Sequence, residues 1–350
     1  MDATLNGGGM KIYINISNFI FIIFLVATCF LISFRSENYF YDVRNYISMF
    51  NDVVQGYAPN AEITYYFISK VCNFFGMNHI GLFFIYSMIS IYCKFYFLKK
   101  EIKNRTLIVI FYLLSFFILY EFVQMRVSTS FGLFLVFLHL FLDRKIKLSL
   151  IFLVSALSFH YSIFIYVIPL AIYFMAFGLR GVGTFIMYLY CMLTIVISCY
   201  NLLNLLIRMP SLIEIFSSSA MLGVIPERLY QGYIENVTIN TVPSTKMLFT
   251  SFMSLLASVF LFLGIINTRK IYLFSAVSVM FGSWIYLIAG CFGVVADRLA
   301  ELCILFVIPF IDGVIERRYW LGILVYIILM SIFSYNIFFR STYFSILGGI

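Results

Sequence analysis

Charged residues are scarce in this chain: Asp, Glu, Lys and Arg make up only 11% of its 350 residues, whereas hydrophobic residues make up 63%. A soluble domain carries roughly a quarter charged residues. Long apolar runs recur almost from end to end, as spans of a hydrocarbon core of about 30 Å require. Because lipid offers the backbone no hydrogen-bond partner, such continuous runs must be helical. We therefore predict an all-α, polytopic integral membrane protein.

Paired cysteines and nucleotide-binding motifs are also absent. The seven cysteines are scattered, nearly all within apolar runs, and no two form a C-x-x-C pair. We interpret them as buried packing residues and not as a disulfide framework or a metal site. There is no Walker motif, no G-x-G-x-x-G fingerprint and no G-x-S-x-G motif. We therefore expect no cofactor and no metal, and chemistry that does not depend on ATP or a nicotinamide.

The net charge of +8 does not indicate a nucleic-acid partner, because the basic residues lie in short loops between apolar runs. Such loops set membrane orientation by facing the cytoplasm. Twelve of the 23 Lys and Arg fall in five of them: 99–105, 144–147, Arg180, 269–270 and 317–318. This orientation places the N-terminus inside and residues 34–78 wholly outside, with 63–75 lying on or dipping into the membrane.

The apolar runs predict about 11 transmembrane helices, within a range of 10–12. The predicted spans are 12–33, 79–98, 106–122, 127–142, 148–159, 161–177, 184–207, 247–266, 271–290, 299–315 and 319–338. Aromatic residues alternate with charges in 34–78, which is typical of interfacial helices at headgroup depth. We expect residues 1–9 to be a tag or disordered start. Residues 10–350 would then form a single transmembrane domain with external segments 34–78 and 208–246.

Arg126 follows Gln124-Met125 and opens a span, with Glu121 five residues before it. A charge in hydrocarbon costs at least about 2.5 kcal/mol, so such residues are rare unless they are used. Because a guanidinium binds phosphate oxygens through two parallel hydrogen bonds, Arg126 is a candidate anion clamp, oriented by Glu121 and Gln124. A snorkelling interfacial arginine is the alternative.

His160 lies between two apolar segments, of which 148–159 is short for a span. The histidine is therefore expected below the membrane surface, in a kink. A neutral imidazole there could take a proton from a hydroxyl or hydrogen-bond a phosphate. The alternative is a helix cap or a buried hydrogen-bonded pair.

Arg298 opens a late span on the same predicted side as Arg126, with Glu301 one turn further on. Two arginines converging there would form a pyrophosphate site, whereas a local salt bridge that supports the helix start is the alternative. The segment 208–246, which contains Arg228, could form a lid over the site or a solvated loop.

Two carboxylates each lie one turn from a tyrosine: Asp42 from Tyr46, and Glu62 from Tyr66. Carboxylates accept hydrogen bonds from sugar hydroxyls, and aromatic faces stack on sugar C–H surfaces. We interpret both pairs as glycan contacts. An interfacial aromatic belt with solvated acids is the alternative.

Taken in order, these pieces resemble the EpsG/Wzy group of bacterial polysaccharide polymerases, which are membrane glycosyltransferases of the GT-C type. The order is Asp42-x3-Tyr46-x3-Phe50, Glu62-x3-Tyr66, Met125-Arg126, a basic turn, Phe159-His160-Tyr161-Ser162 and Arg298. The resemblance covers most of residues 30–310. It departs from the group where Val127, and not the usual Gln, follows Arg126, and residues 208–246 have no counterpart.

The resemblance implies a reaction on the outer face of the bacterial cytoplasmic membrane. A growing glycan on undecaprenyl pyrophosphate is transferred to the nonreducing end of a lipid-linked repeat unit, and the sugar–pyrophosphate bond supplies the energy. Arg126 and Arg298 would stabilise the departing pyrophosphate. The base would be Asp42, Glu62 or His160; we favour Asp42 or Glu62, with His160 contacting phosphate or sugar. The remaining candidates would bind or orient glycan: Tyr46, Tyr66, Glu121, Gln124, Tyr161, Arg228 and Glu301.

The expected partners are the lipid-linked donor and acceptor and the bilayer, together with a chain-length regulator and a flippase; nucleic acid is not expected. Two other functions fit the same scaffold. One is a transporter, such as a flippase for lipid-linked oligosaccharides, for which no internal repeat is evident. The other is a membrane acyltransferase that modifies a surface glycan.

Overall fold

The computed structural model describes residues 16–35, 41–57, 61–179, 182–207, 245–289 and 293–335. Their secondary structure is helical, and these ranges contain no strand, which confirms the all-α prediction for them. The predicted start at 1–9 and the predicted lid residue Arg228 lie outside the described residues.

The described residues form fourteen α-helices, numbered here in chain order. Their bounds are α1 Ile16–Ser33, α2 Tyr41–Val54, α3 Ile63–Phe74, α4 His79–Glu101, α5 Arg105–Ser115, α6 Met125–Leu142, α7 Ile146–Phe159, α8 Val167–Gly178, α9 Val182–Ile207, α10 Thr245–Phe262, α11 Lys270–Ala289, α12 Gly293–Ile304, α13 Val307–Arg317 and α14 Tyr319–Tyr335. A π-helical turn, Ile118–Val123, precedes α6, and a 3-10 helix, Tyr161–Tyr166, precedes α8.

Within the described residues, five helical segments are long and apolar enough to cross a membrane: His79–Glu101, Met125–Leu142, Tyr161–Gly178, Val182–Asn204 and Lys270–Ala289. Shorter apolar helices are found at Arg105–Ser115, Ile146–Phe159, Lys246–Phe262 and Tyr319–Leu329. Together they support a membrane protein with several spans. The figure of eleven spans stays a prediction.

One predicted span is not a continuous helix. The run 299–315 is divided between α12, which ends at Ile304, and α13, which begins at Val307. Pro309 explains the break, because proline has no N–H and its ring clashes with the carbonyl four residues earlier, here that of Leu305. Pro169 acts in the same way on the run 161–177, where a 3-10 helix gives way to α8 at Val167.

The described part of the segment 34–78 contains two short helices, α2 and α3. The residues that α2 buries follow helical spacing, and they are Val43, Tyr46, Phe50 and Val53. The twelve residues of α3 extend about 18 Å at 1.5 Å per residue, too short for a core of about 30 Å. Their lengths agree with interfacial helices; the depth at which they lie stays a prediction.

The chain divides into two compact units. The first contains α1 to α4, most of α5, α6 and α7, and its central helix is α6, which packs on α4 and α7. The second contains α8 to α13 and most of α14, arranged around α11. The prediction of a single transmembrane domain is not tested by this division. Glu62, Arg126 and His160 all belong to the first unit.

Helices α4 and α6 approach each other closely because small residues line their contact. A Cβ atom placed on Gly132 would lie 3.0 Å from the backbone oxygen of Ser90 and 3.3 Å from Cβ of Cys93. Ser90 and Ser128 hydrogen-bond across the same seam, with their Oγ atoms 3.0 Å apart. Small residues permit this kind of close helix contact in membranes.

Candidate functional site

Glu62 lies between Arg126 and His160. Its Oε2 is 2.5 Å from Nη1 of Arg126, and its Oε1 is 2.6 Å from Nδ1 of His160. The three residues come from the ends of three helices: Glu62 directly precedes α3, Arg126 is in the first turn of α6, and His160 follows α7. The structure thus joins residues that are 64 and 98 positions apart in the chain.

Contacts next to these helix ends hold them together. The hydroxyl of Thr64 donates a 2.6 Å hydrogen bond to the carbonyl of Ser158, which ties the start of α3 to the end of α7. The hydroxyl of Ser130 donates to the carbonyl of Ala156 at 2.5 Å, which ties α6 to α7. Because these bonds lie within a turn or two of the charged groups, they fix the site's backbone.

Burial and charge act in opposite directions on Glu62. Burial raises the pKa of its carboxyl, but the hydrogen bond from His160 and the positive charge of Arg126 outweigh burial, so the pKa lies below its ordinary value. Glu62 is therefore ionised at neutral pH. Because an ionised carboxylate can only accept, Nδ1 of His160 carries the hydrogen of this bond; in the neutral form of the ring the lone pair is then on Nε2.

Two tyrosines form an aromatic wall beside Arg126. Its guanidinium carbon lies 5.3 Å from the ring centroid of Tyr46 and 6.0 Å from that of Tyr65. The phenol of Tyr65 donates to the backbone oxygen of Tyr46 at 2.5 Å, so α2 and α3 are joined there. Burial raises the pKa of the Tyr46 phenol, which stays neutral. Sequence analysis identified Tyr46 and missed Tyr65, whose position one residue before Tyr66 was the only signal.

Two of the three charged or titratable side chains of this site are partly exposed. The side chain of His160 is 25% exposed and that of Arg126 is 20% exposed, whereas Glu62 is only 6% exposed. The arrangement presents a cation and an imidazole to an incoming molecule and keeps the carboxylate behind them. It can therefore hold an anion at Arg126 and accept a proton at Nε2 of His160.

The carboxylate of Glu121 pairs with Lys94 and not with Arg126, so Glu121 does not orient Arg126 by the direct contact that the sequence suggested. Its buried carboxylate pairs with Lys94, with Oε1 2.5 Å from Nζ, and the same oxygen accepts a bond from the Tyr112 hydroxyl at 2.6 Å. Lys94 lies within α4 and Glu121 in the π-helical turn. Glu121 turns towards Lys94 because a buried charge needs an opposite charge, and Glu62 supplies the carboxylate for Arg126.

Lys94 and Arg35 are two charged residues near this site that could not be recognised as part of it from the sequence pattern alone. Lys94 is buried in an apolar run that was interpreted as a plain span, and the cost of a lysine there was the available signal. Arg35 is buried just beyond α1, with its guanidinium 4.1 Å from the ring centroid of Phe83. Nothing in the pattern around Arg35 indicates that partner.

The other candidates in the first unit lie around the site in different ways. Asp42 is partly exposed on α2, one turn before Tyr46. Tyr66 packs its ring against the ammonium of Lys70 at 4.5 Å. Gln124 is buried at the junction that begins α6, and Tyr161 is 65% exposed. Their predicted roles in glycan binding stay predictions.

The remaining candidates belong to the second unit. Arg298 is exposed on α12. Glu301, one turn further on, pairs with Lys246 of α10. The convergence of Arg298 with Arg126 stays a prediction, because the two arginines belong to different units.

One group within the described residues has the composition of a metal site. Glu101, His139 and Asp143 each bring a ligand atom within 4.8 Å of the others. Nδ1 of His139 lies 2.5 Å from the Glu101 carboxylate, and Nε2 lies 3.7 Å from that of Asp143. The group is near the far end of α6 from Arg126, about 20 Å away at 1.5 Å per residue, so it is separate from the site of Glu62.

Comparison with known proteins gives one match. A family model described as the EpsG family matches residues 18–348, which is nearly the whole chain. The matched range includes Glu62, Arg126, His160 and Arg298. Neither the curated proteins nor the solved structures gave a match.

Proposed function

The chain belongs to the EpsG family, and from this premise we propose that it is a membrane glycosyltransferase that joins lipid-linked repeat units into a polysaccharide. The donor is a growing glycan on undecaprenyl pyrophosphate, and the acceptor is the nonreducing end of one lipid-linked unit. The reaction takes place on the outer face of the cytoplasmic membrane. Both substrates reach the site from the bilayer, which agrees with a protein built from apolar helices.

The contact of Glu62 with both Arg126 and His160 is the observation that carries this proposal. The transfer breaks the bond between the anomeric carbon and the pyrophosphate oxygen and forms a bond from that carbon to the acceptor oxygen. It therefore needs a cation for the departing pyrophosphate and a base for the acceptor proton. Arg126 and His160 supply these two groups side by side.

His160 is the proposed general base. Glu62 accepts the hydrogen of Nδ1 and so orients the ring with the lone pair of Nε2 available to the acceptor hydroxyl. The negative charge of Glu62 also stabilises the imidazolium that forms. The geometry thus favours His160 over the carboxylates that sequence reasoning preferred, and it gives Glu62 an orienting role.

Arg126 is the proposed partner of the leaving group. A guanidinium forms paired hydrogen bonds to phosphate oxygens, and stabilisation of developing charge is commonly the largest catalytic contribution. The neutral ring of Tyr46 beside it adds a cation–π contact that holds the guanidinium in place. Since the sugar–pyrophosphate bond supplies the energy, the reaction needs no nucleotide.

The test is polymer formation by purified protein in liposomes supplied with lipid-linked repeat units. We expect wild-type protein to produce a ladder of polymer lengths on a gel. Arg126→Ala should reduce elongation by about 10²–10³-fold, the usual cost of losing one donor to a developing anion. Arg126→Lys should also be impaired, because an ammonium cannot make paired bonds. The exposed Arg317→Ala variant is the matched control and should elongate normally.

Each competing function predicts a different gel. A transporter would move single units across the liposome membrane without joining them, and an acyltransferase would modify single units without lengthening them. A normal ladder from the Arg126→Ala protein would contradict the role of Arg126. The absence of a ladder from folded wild-type protein would contradict the polymerase proposal itself.

A further inference from the structure

Two buried cations each join Glu121 to the first turn of α6. Nζ of Lys94 donates to the carboxylate of Glu121 at 2.5 Å and also to the hydroxyl of Ser128. Nη1 of Arg35 donates to the backbone oxygen of Glu121 at 2.7 Å, and its Nη2 donates to the sulfur of Met125 at 2.8 Å. Arg126 lies between Met125 and Ser128. Arg35 therefore holds the residue before Arg126, and Lys94 holds a residue after it, in the same helical turn.

The backbone that precedes Arg126 does not by itself fix the orientation of the Arg126 side chain. The amide of Gln124 bonds to the carbonyl of Leu119 at 2.9 Å, which closes a π-helical turn. Gln124 itself has φ −100° and ψ 54°, which is not helical, so α6 begins anew at Met125. Because the helix is interrupted there, contacts with other helices must fix how the first turn of α6 is oriented. Single π-helical turns are frequent at functional sites.

We infer that Lys94 and Arg35 are positioning residues that act through Glu121 and the first turn of α6 to aim Arg126 at its anionic ligand. This inference rests on the proposed function for the identity of that ligand. A buried ion pair is weak evidence for stability, since replacing both members with uncharged residues is often neutral. We therefore assign the Lys94–Glu121 pair a role in orienting the first turn of α6.

The decisive variant is the double substitution Lys94→Met with Glu121→Gln. Either single substitution leaves one buried charge unpaired and impairs folding, whereas the double substitution removes both charges. We expect the double variant to insert and to unfold at nearly the wild-type temperature. Its kcat for polymerisation should fall by about 10²-fold, the cost of displacing a catalytic group by about 1 Å, with KM little changed.

A second measurement reports on Arg126 without using catalysis. Phenylglyoxal modifies guanidinium groups, and mass spectrometry of the digested protein gives the rate at each arginine. Arg126 is held against Glu62, so its modification should be slow in wild-type protein and severalfold faster in the double variant. The exposed Arg144 serves as the internal reference and should react equally in both proteins.

Arg35→Lys is the milder second variant. It keeps the charge, but an ammonium lacks the fork that reaches Glu121 and Met125 together, so the same changes should appear on a smaller scale. Folded variants with wild-type kcat and wild-type modification of Arg126 would overturn the inference. If wild-type protein forms no polymer, the proposed function fails, and the modification rate alone still decides whether Lys94 and Arg35 position Arg126.

Discussion

The two carboxylate oxygens of Glu62 contact two different residues. Its Oε2 meets Arg126 and its Oε1 meets His160, so loss of its charge would weaken both contacts together. Glutamine can replace the shape of Glu62 but not its charge. The ionised form of Glu62 therefore holds the side chains of Arg126 and His160 in place.

This ionisation predicts a pH dependence of stability. The pKa of Glu62 is lower in the folded protein than its ordinary value. The stabilisation from ionised Glu62 is therefore fully present above the ordinary value of about 4.3 and is lost as the pH falls through the lowered pKa. We expect the melting temperature of wild-type protein in detergent to hold from neutral pH down to about pH 5 and to fall more steeply below about pH 4 than that of Glu62→Gln.

Thermal unfolding of both proteins across this range is the measurement, with Asp143→Asn as the control. Asp143 is about half exposed and far from the site, so its variant should follow the wild-type curve. Wild-type and Glu62→Gln proteins with parallel curves would show that Glu62 does not supply this stabilisation.

Individual site residues could be predicted from the sequence, but their partners could not. Arg126 and His160 stood out because charged or titratable groups at the ends of apolar runs are costly and rare. Glu121 was nearest to Arg126 in the chain and seemed its natural partner. The actual partner, Glu62, is 64 positions away, and only the packing of α3 against α7, which itself packs on α6, brings it there.

At the scale of elements, the contact between α4 and α6 supports the positioning of Arg126. Lys94 is on α4 and Ser128 on α6, and Gly132 lies one turn beyond Ser128 on the same seam. Any residue that separates the two helices would lengthen the contacts of Lys94. The absence of a side chain at Gly132 is therefore a requirement of the site as well as of the fold.

Gly132→Leu should destabilise the protein. Its Cβ would meet the backbone oxygen of Ser90 at 3.0 Å, and a carbonyl within a helix cannot move aside. Overpacking of this kind costs about 1–3 kcal/mol. Gly178→Leu is the matched control, since a Cβ there meets nothing within 4 Å. Thermal unfolding in detergent would compare the two, and equal melting temperatures would contradict the close contact between α4 and α6.

A helix end was predictable where nearby residues determine it. The apolar run 148–159, for example, predicted the end of α7 at Phe159 correctly. The division of the run 299–315 was missed, although Pro309 was a usable signal. The π-helical turn before α6 had no such signal. Its extra residue per turn is held by Lys94 and Arg35, which are distant in sequence, so periodicity alone could not indicate it.

At the scale of the whole molecule, the basic loops predict an orientation. The basic segments 99–105 and 144–147 lie at the C-terminal ends of α4 and α6, which pack side by side in the first unit. Lysines and arginines gathered at one end of neighbouring helices are expected on the cytoplasmic side. The loop that contains Tyr57 would then lie outside, as would Arg126 at the start of α6.

Cysteine labelling in intact cells tests this orientation. A membrane-impermeant maleimide added from outside should label Tyr57→Cys, which is exposed, and should label Lys103→Cys only after the membrane is permeabilised. The parent protein, with its own cysteines, gives the background. Labelling of both variants from the same side would contradict the predicted topology and the outward-facing site together.

The Glu62–Arg126 contact affects which dissolved anions can bind to Arg126. Glu62 acts as a tethered competitor, present beside Arg126 at an effective concentration far above that of a dilute solute. Chloride and a dissolved carboxylate each carry one negative charge, the same as ionised Glu62, so neither binds Arg126 with a stronger charge interaction than Glu62 does. A pyrophosphate carries more than one negative charge, so we expect it to displace Glu62 from Arg126 where a singly charged anion does not.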